Sequence, residues 1–175
     1  MKQTPNTSGN FSFQEKTDYF NRYLRHEAGP ERRAIGMTLK MSRELKNAVW
    51  LLAPHSTSAR SYASAIIREH LADFVGIHEY VRRILYNQTE PGDEATYSQM
   101  LDSYVGIYLN PDNRIEAEAW LSIDKDLVRS MKLLVNWLDN GTTVASFATA
   151  IFEHHFAKYG AMLKEMKTDT YLAQP

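Results

Sequence analysis

The chain contains no cysteine. That removes disulfide frameworks, zinc–thiolate centres and thiol nucleophiles, and it suits a reducing, cytoplasmic compartment. Long apolar runs are also missing. The longest, residues 48–54 and 148–152, fall far short of the roughly 20 residues that cross a bilayer, and no signal peptide opens the chain, so no membrane partner is expected. There is no Gly-rich phosphate loop, no nucleophile elbow and no paired-carboxylate pattern. The expectation is a protein that is not an enzyme and needs no cofactor. Charge of one sign is lacking too: 20 basic residues face 21 acidic ones, for a net charge of −1. Total charge therefore gives no pull toward nucleic acid, and any phosphate binding has to come from a local patch.

What is present is ordinary globular material. The 175 residues are 43% hydrophobic and 23% charged, enough for one domain or two small units sharing a core. The charge is unevenly placed. Residues 22–46 carry seven Lys/Arg, at 22, 25, 32, 33, 40, 43 and 46, against three acids, a local balance of +4. Residues 87–126 carry nine acids against Arg114 and Lys125, a balance of −7. This pattern reads as one basic face on an otherwise acidic chain.

The chain divides into five stretches. Residues 1–33 form a polar tail followed by a short helix over 13–26, with Phe13, Phe20, Tyr23 and Leu24 on one helical stripe, and Gly29-Pro30 ends it. Residues 34–86 are a first structural unit with a helical extension. Residues 87–117 are an acidic connector whose helix, over 93–109, is bounded by turn clusters at 88–92 and 110–113. Residues 118–167 are a second unit, and 168–175 a tail.

The two units repeat each other. At an offset of 85, Ser61, Ala63, Ala65, Ile66, His70 and Ala72 meet Ser146, Ala148, Ala150, Ile151, His155 and Ala157. Upstream of each copy comes the same series of signals. Residues 35–42 alternate apolar and polar, Ser42 caps a helix with Leu45, Ala48, Val49 and Leu52 on one face, and Pro54 stops it. Residues 56–58 then cap a second helix. In the second copy residues 118–124 alternate, and Asp124 caps a helix striped by Leu127, Met131, Leu134 and Leu138. Asn140-Gly141 stops it, and Thr142-Thr143 opens the next. A single strand with two helices leaves backbone groups unpaired and too small a core. Two units solve both problems if their strands pair antiparallel. The expected fold is mainly α, with one two-stranded antiparallel ribbon made from residues near 36–41 and 118–123. Its core includes Leu45, Val49, Leu52, Ile66, Leu121, Ile123, Leu134 and Ile151. Pairing inside one chain makes a monomeric pseudo-dimer, and pairing between chains a homodimer; the sequence leaves both open.

Residues 35–74 and 118–159 resemble the ribbon-helix-helix superfamily of DNA-binding proteins, which implies two ribbon-helix-helix units in one chain. The second copy also resembles a family from the transfer regions of Bacteroides-type conjugative transposons, through Trp120-Leu121-Ser122 and the run Ile151-Phe152-Glu153-His154-His155-Phe156. The resemblance implies a sequence-specific, double-stranded DNA-binding accessory or regulatory protein of a mobile, conjugative element, acting in transcription regulation or with other transfer or relaxosome proteins. The ribbon would lie in the major groove. Thr38, Lys40, Trp120 and Ser122 would face the bases. Phosphates would meet Arg32, Arg33 and Arg43, and the starts of the second helices at Ser56, Thr57 and Ser58 and at Gly141, Thr142 and Thr143. The alternative is a helical protein–protein interaction module that keeps the fold without DNA, favoured by the net charge, the acidic connector and Trp120. Adjacent His154 and His155 point about 100° apart on a helix and make poor metal co-ligands. The match of His155 to His70 favours a repeated packing role instead.

Overall fold

The computed structural model describes residues 11–24, 36–52, 58–111 and 119–172. Helix α1 (Phe13–Tyr19) runs into a π-helical turn (Phe20–Leu24), followed by β1 (Gly36–Met41), α2 (Arg43–Leu52), α3 (Ala59–Asp73) and α4 (Val75–Leu85). Helix α5 (Asp93–Tyr108), β2 (Ala119–Asp124), α6 (Lys125–Leu138) and α7 (Val144–Leu172) complete the order. The fold is mainly helical with one small antiparallel sheet, and among the described residues no helix is long and apolar enough to cross a membrane.

Strands β1 and β2 pair within the chain, with Thr38 opposite Ser122 and Lys40 opposite Trp120. The second strand lies one residue further along than its pattern suggests, ending at Asp124. Period-two alternation sends Leu39, Met41, Ala119, Leu121 and Ile123 into the core. Ser42 caps α2, accepting the Leu45 N–H at 3.2 Å, and Ser58 caps α3, accepting the Ser61 N–H at 3.1 Å. Asp124 occupies the cap position of α6 but makes no side-chain capping bond. Its carboxylate is drawn instead to Arg60 and Arg68 of α3. Helix α6 ends at Leu138, two residues before the Asn140-Gly141 signal, with Asp139 already left-handed at φ 43° and Gly141 at φ 88°.

Leu45, Val49, Ile66, Leu121, Ile123, Leu134 and Ile151 are buried as expected, and the side chain of Leu52 lies outside the described residues. The stripe on α1 is different from the one read in the sequence. Phe13 is 85% exposed and Phe20 is exposed, whereas Tyr19, Tyr23 and Leu24 are buried. The π turn adds a residue per turn and so shifts the inward face.

That shift exposes a longer repeat than the two-unit reading contained. At the same offset of 85, Tyr19, Tyr23 and Leu24 correspond to Tyr104, Tyr108 and Leu109 of the connector, and all six are buried. The stretch 93–109 is therefore the counterpart of the N-terminal helix as well as a connector. Packing between the halves is reciprocal. Helix α3 packs on β2 and α7 on β1, while α2 packs on α7 and α6 on α3. Tyr19 hydrogen-bonds His155 Nε2 at 2.8 Å, and Tyr104 hydrogen-bonds His70 Nε2 at 2.9 Å. The His155 ring meets Tyr62 edge-on at 75°, and the His70 ring meets Phe147, the counterpart of Tyr62, at the same angle. Tyr23 and Tyr159 lie 5.7 Å apart, as do their counterparts Tyr108 and Phe74.

Each imidazole, His155 buried and His70 half-buried, bonds a buried tyrosine's hydroxyl, which is the repeated packing role expected of this pair. Tyr19 also shares a 2.6 Å bond with Tyr62, and His78 joins His70 on Tyr104 at 3.0 Å. Desolvation raises the tyrosine hydroxyls and lowers the imidazoles, His70 and His155 to about 3 and His78 to about 4.

Two outcomes follow. Ile66→Ala or Ile151→Ala should each cost about 2–5 kcal/mol in chemical denaturation, because both side chains are buried. Stability should be full above about pH 6.5 and fall below it, as the unfolded chain takes protons that the core refuses down to about 3. Urea midpoints between pH 7 and pH 4 measure this, and replacing His70 and His155 together by glutamine should make the profile shallower, leaving the share that His78 contributes.

Candidate nucleic-acid interface

The outer face of the ribbon is built by the same alternation that fills the core. Thr38 and Lys40 are exposed, Trp120 is 55% exposed and Ser122 is half-buried, so all four predicted residues share one face. Lys40 and Trp120, opposite each other in register, form a cation–π pair with Nζ 5.1 Å from the ring centroid. Trp120 is thus neither buried nor isolated, but lies beneath the ribbon's lysine.

One end of this face carries cations that the sequence reading did not single out. Arg60 reaches Asp124 Oδ1 through Nε at 3.2 Å and Nη2 at 3.0 Å, and Arg68 reaches Oδ2 at 3.2 Å. Between them Ser64 accepts the Asp124 N–H at 3.0 Å. Arg60, Ser64 and Arg68 stand four residues apart, one face of α3. That spacing was legible in the sequence, but only the pairing of β1 with β2 shows that the face meets the ribbon. Gly36 makes room for the approach. A Cβ there would stand 2.5 Å from Ser122 Oγ and 3.0 Å from Arg60 Nη1. The other end of the ribbon is different, because the counterparts of Arg60 and Arg68 are Ala145 and Glu153. Thr149, the counterpart of Ser64, buries a hydroxyl that has no partner among the described residues.

The phosphate-facing candidates divide. Arg32, Arg33, Ser56 and Thr57 lie outside the described residues. Arg43 is exposed on the first turn of α2. Ser58 and Thr143 are exposed and act as caps, each side chain accepting the N–H three residues on. Gly141 is exposed at the turn before α7, with open space around it. Thr142 is turned inward: its hydroxyl donates to the Leu109 carbonyl at 2.7 Å and its N–H to Asn140 Oδ1 at 3.0 Å. It locks the end of α5 to the α6–α7 turn, so neither group is offered to a phosphate.

No family model, curated protein or solved structure matches this chain. The chemistry of the ribbon face therefore rests on its own geometry. One cation (Lys40) and two hydroxyls (Thr38 and Ser122) project from a two-stranded ribbon, with two guanidiniums at one end. This arrangement can donate to base-edge acceptors and neutralise nearby phosphate.

Gly36→Ala tests the crowded end. The added methyl should displace Ser122 and Arg60 and lower stability by about 1–3 kcal/mol. A denaturant midpoint equal to that of the parent chain would show that the ribbon end has slack.

Proposed function

We propose that this chain is a sequence-specific double-stranded DNA-binding protein, built as two ribbon-helix-helix units in a pseudo-dimer. It serves as an accessory or regulatory factor of a conjugative element. The carrying observation is the ribbon: an intramolecular antiparallel pair, apolar beneath and presenting Thr38, Lys40, Trp120 and Ser122 above. A two-stranded ribbon of this kind fits the major groove of B-DNA. The reciprocal packing of the two helix pairs supports the pseudo-dimer reading. The conjugative context is supported by the resemblance of residues 118–166 alone, and cytoplasmic action with transfer or relaxosome partners follows from the same resemblance.

The reader is asymmetric. Lys40, Arg60 and Arg68 place positive charge on the first strand and the Asp124 end, while the opposite end carries Ala145 and Glu153 at the matching positions. A second reading, a protein-docking module, is favoured by Trp120, a large exposed apolar ring on the ribbon face opposite Lys40.

Salt separates the two. Binding to the element's intergenic duplex should weaken steeply between low and moderate salt, through counterion release. Lys40→Ala should cost about 1–3 kcal/mol of DNA binding, and Ser122→Ala less, since one hydroxyl discriminates weakly. Titrations of both variants on one duplex, with folding checked by circular dichroism, decide the matter. Absence of saturable binding by the parent chain at low salt assigns the ribbon to protein docking.

A further inference from the structure

The ribbon is symmetric in its pairing but not in what it displays. Its register is balanced about Leu39 and Leu121, which stand opposite each other and are both buried. A half-turn about that point exchanges the strands, so that Thr38 takes the place of Trp120 and Lys40 the place of Ser122. The inward positions stay apolar and buried under this exchange, Leu39 with Leu121 and Met41 with Ile123. The outward ones change character. One rung pairs two hydroxyls, Thr38 with Ser122, and the other pairs an ammonium with an indole, Lys40 with Trp120.

A reader made of two identical chains meets both halves of its site with the same side chains, so its two-fold axis is mirrored in a palindromic duplex. Here the two rungs select different bases. The Lys40 ammonium can donate to guanine O6 and N7. The Trp120 ring, 55% exposed, offers no acceptor but an apolar surface suited to a thymine methyl. Thr38 and Ser122 both donate and accept, so they discriminate weakly. Turning the protein end for end on one site would put hydroxyls where the ammonium and the indole had been. The ends of the ribbon also differ, since two guanidiniums share the Asp124 carboxylate and the matching places hold Ser42, Ala145 and Glu153. Those groups act on phosphates, which are alike for every sequence, so the four outward residues set the orientation.

We propose, on the reading that the ribbon binds duplex DNA, that its target is a non-palindromic site bound in one orientation. Lys40 and Trp120 lie over one half of that site, and Thr38 and Ser122 over the other.

Selection of the full chain against randomised duplexes should yield a consensus that differs from its own reverse complement. The chain has no cysteine, so Glu153→Cys, at an exposed position, supplies a single thiol for an iron-chelate DNA cleaver. Cutting should fall on one flank of the consensus, with that orientation favoured about five- to 150-fold, the discrimination of one good base contact. Adding Lys40→Ser and Trp120→Thr makes the two rungs equivalent under the half-turn and should bring cutting to both flanks. Circular dichroism checks each fold; if the multiple variant does not fold, the cutting pattern of the single-thiol chain decides alone. A palindromic consensus, equal cutting on both flanks with Lys40 and Trp120 in place, or one-sided cutting kept by the multiple variant would overturn the proposal. Absence of saturable DNA binding by the parent chain would overturn the reading it rests on, and the proposal with it.

Discussion

Each half of this chain brings a single β-strand, and a lone strand cannot satisfy its own N–H and C=O groups. The pairing of residues 36–41 with 119–124 is the constraint from which the rest follows. Once the strands lie antiparallel, the second helix of each half falls beneath the other half's strand, α3 under β2 and α7 under β1. Helices α3 and α7 also pack on each other, and Ile66 of one and Ile151 of the other are both buried. The outer helices α1 and α5 close the far side by reaching a tyrosine to the opposite half's histidine. Neither half can form this core alone.

The halves agree where they are buried and part where they meet solvent. Tyr19 and Tyr104, and Ile66 and Ile151, match in type and burial, because a packed interior tolerates little change in volume or polarity. Arg60 against Ala145, Arg68 against Glu153 and Asp73 against Lys158 differ in charge. The first two pairs gather two guanidiniums around the Asp124 carboxylate at one end of the ribbon. Charge asymmetry is thus carried on a scaffold whose interior is nearly symmetric in chemistry.

The buried polar groups show how closely that interior is specified. Tyr19 engages both Tyr62 and His155, so three polar side chains enter the core as one satisfied group. Burial without partners would cost each of them on the order of 1–3 kcal/mol, so the group fixes the relative position of α1, α3 and α7. Thr149 is different: its buried hydroxyl has no partner among the described residues, where Ser64 in the other half accepts a strand N–H.

Alternation of apolar residues at 37–41 and 119–123 settled which side chains face outward from the ribbon, because period two is local and one-residue slips would bury Lys40. The caps at Ser42, Ser58 and Thr143, the helix over 93–109 and the repeat of residues 58–74 in 143–159 were legible for the same reason. What stayed hidden was long-range. The kinship of Tyr19, Tyr23 and Leu24 with Tyr104, Tyr108 and Leu109 is masked in sequence by dissimilar surface residues and by a π turn that rotates the inward face. The capture of Asp124 by Arg60 and Arg68 needed the tertiary fold, since the two guanidiniums lie 64 and 56 positions away in sequence. Local periodicity determined the elements and their faces; only the meeting of the two halves decided which charges, rings and hydroxyls became neighbours, because contacts between distant segments carry no local signature.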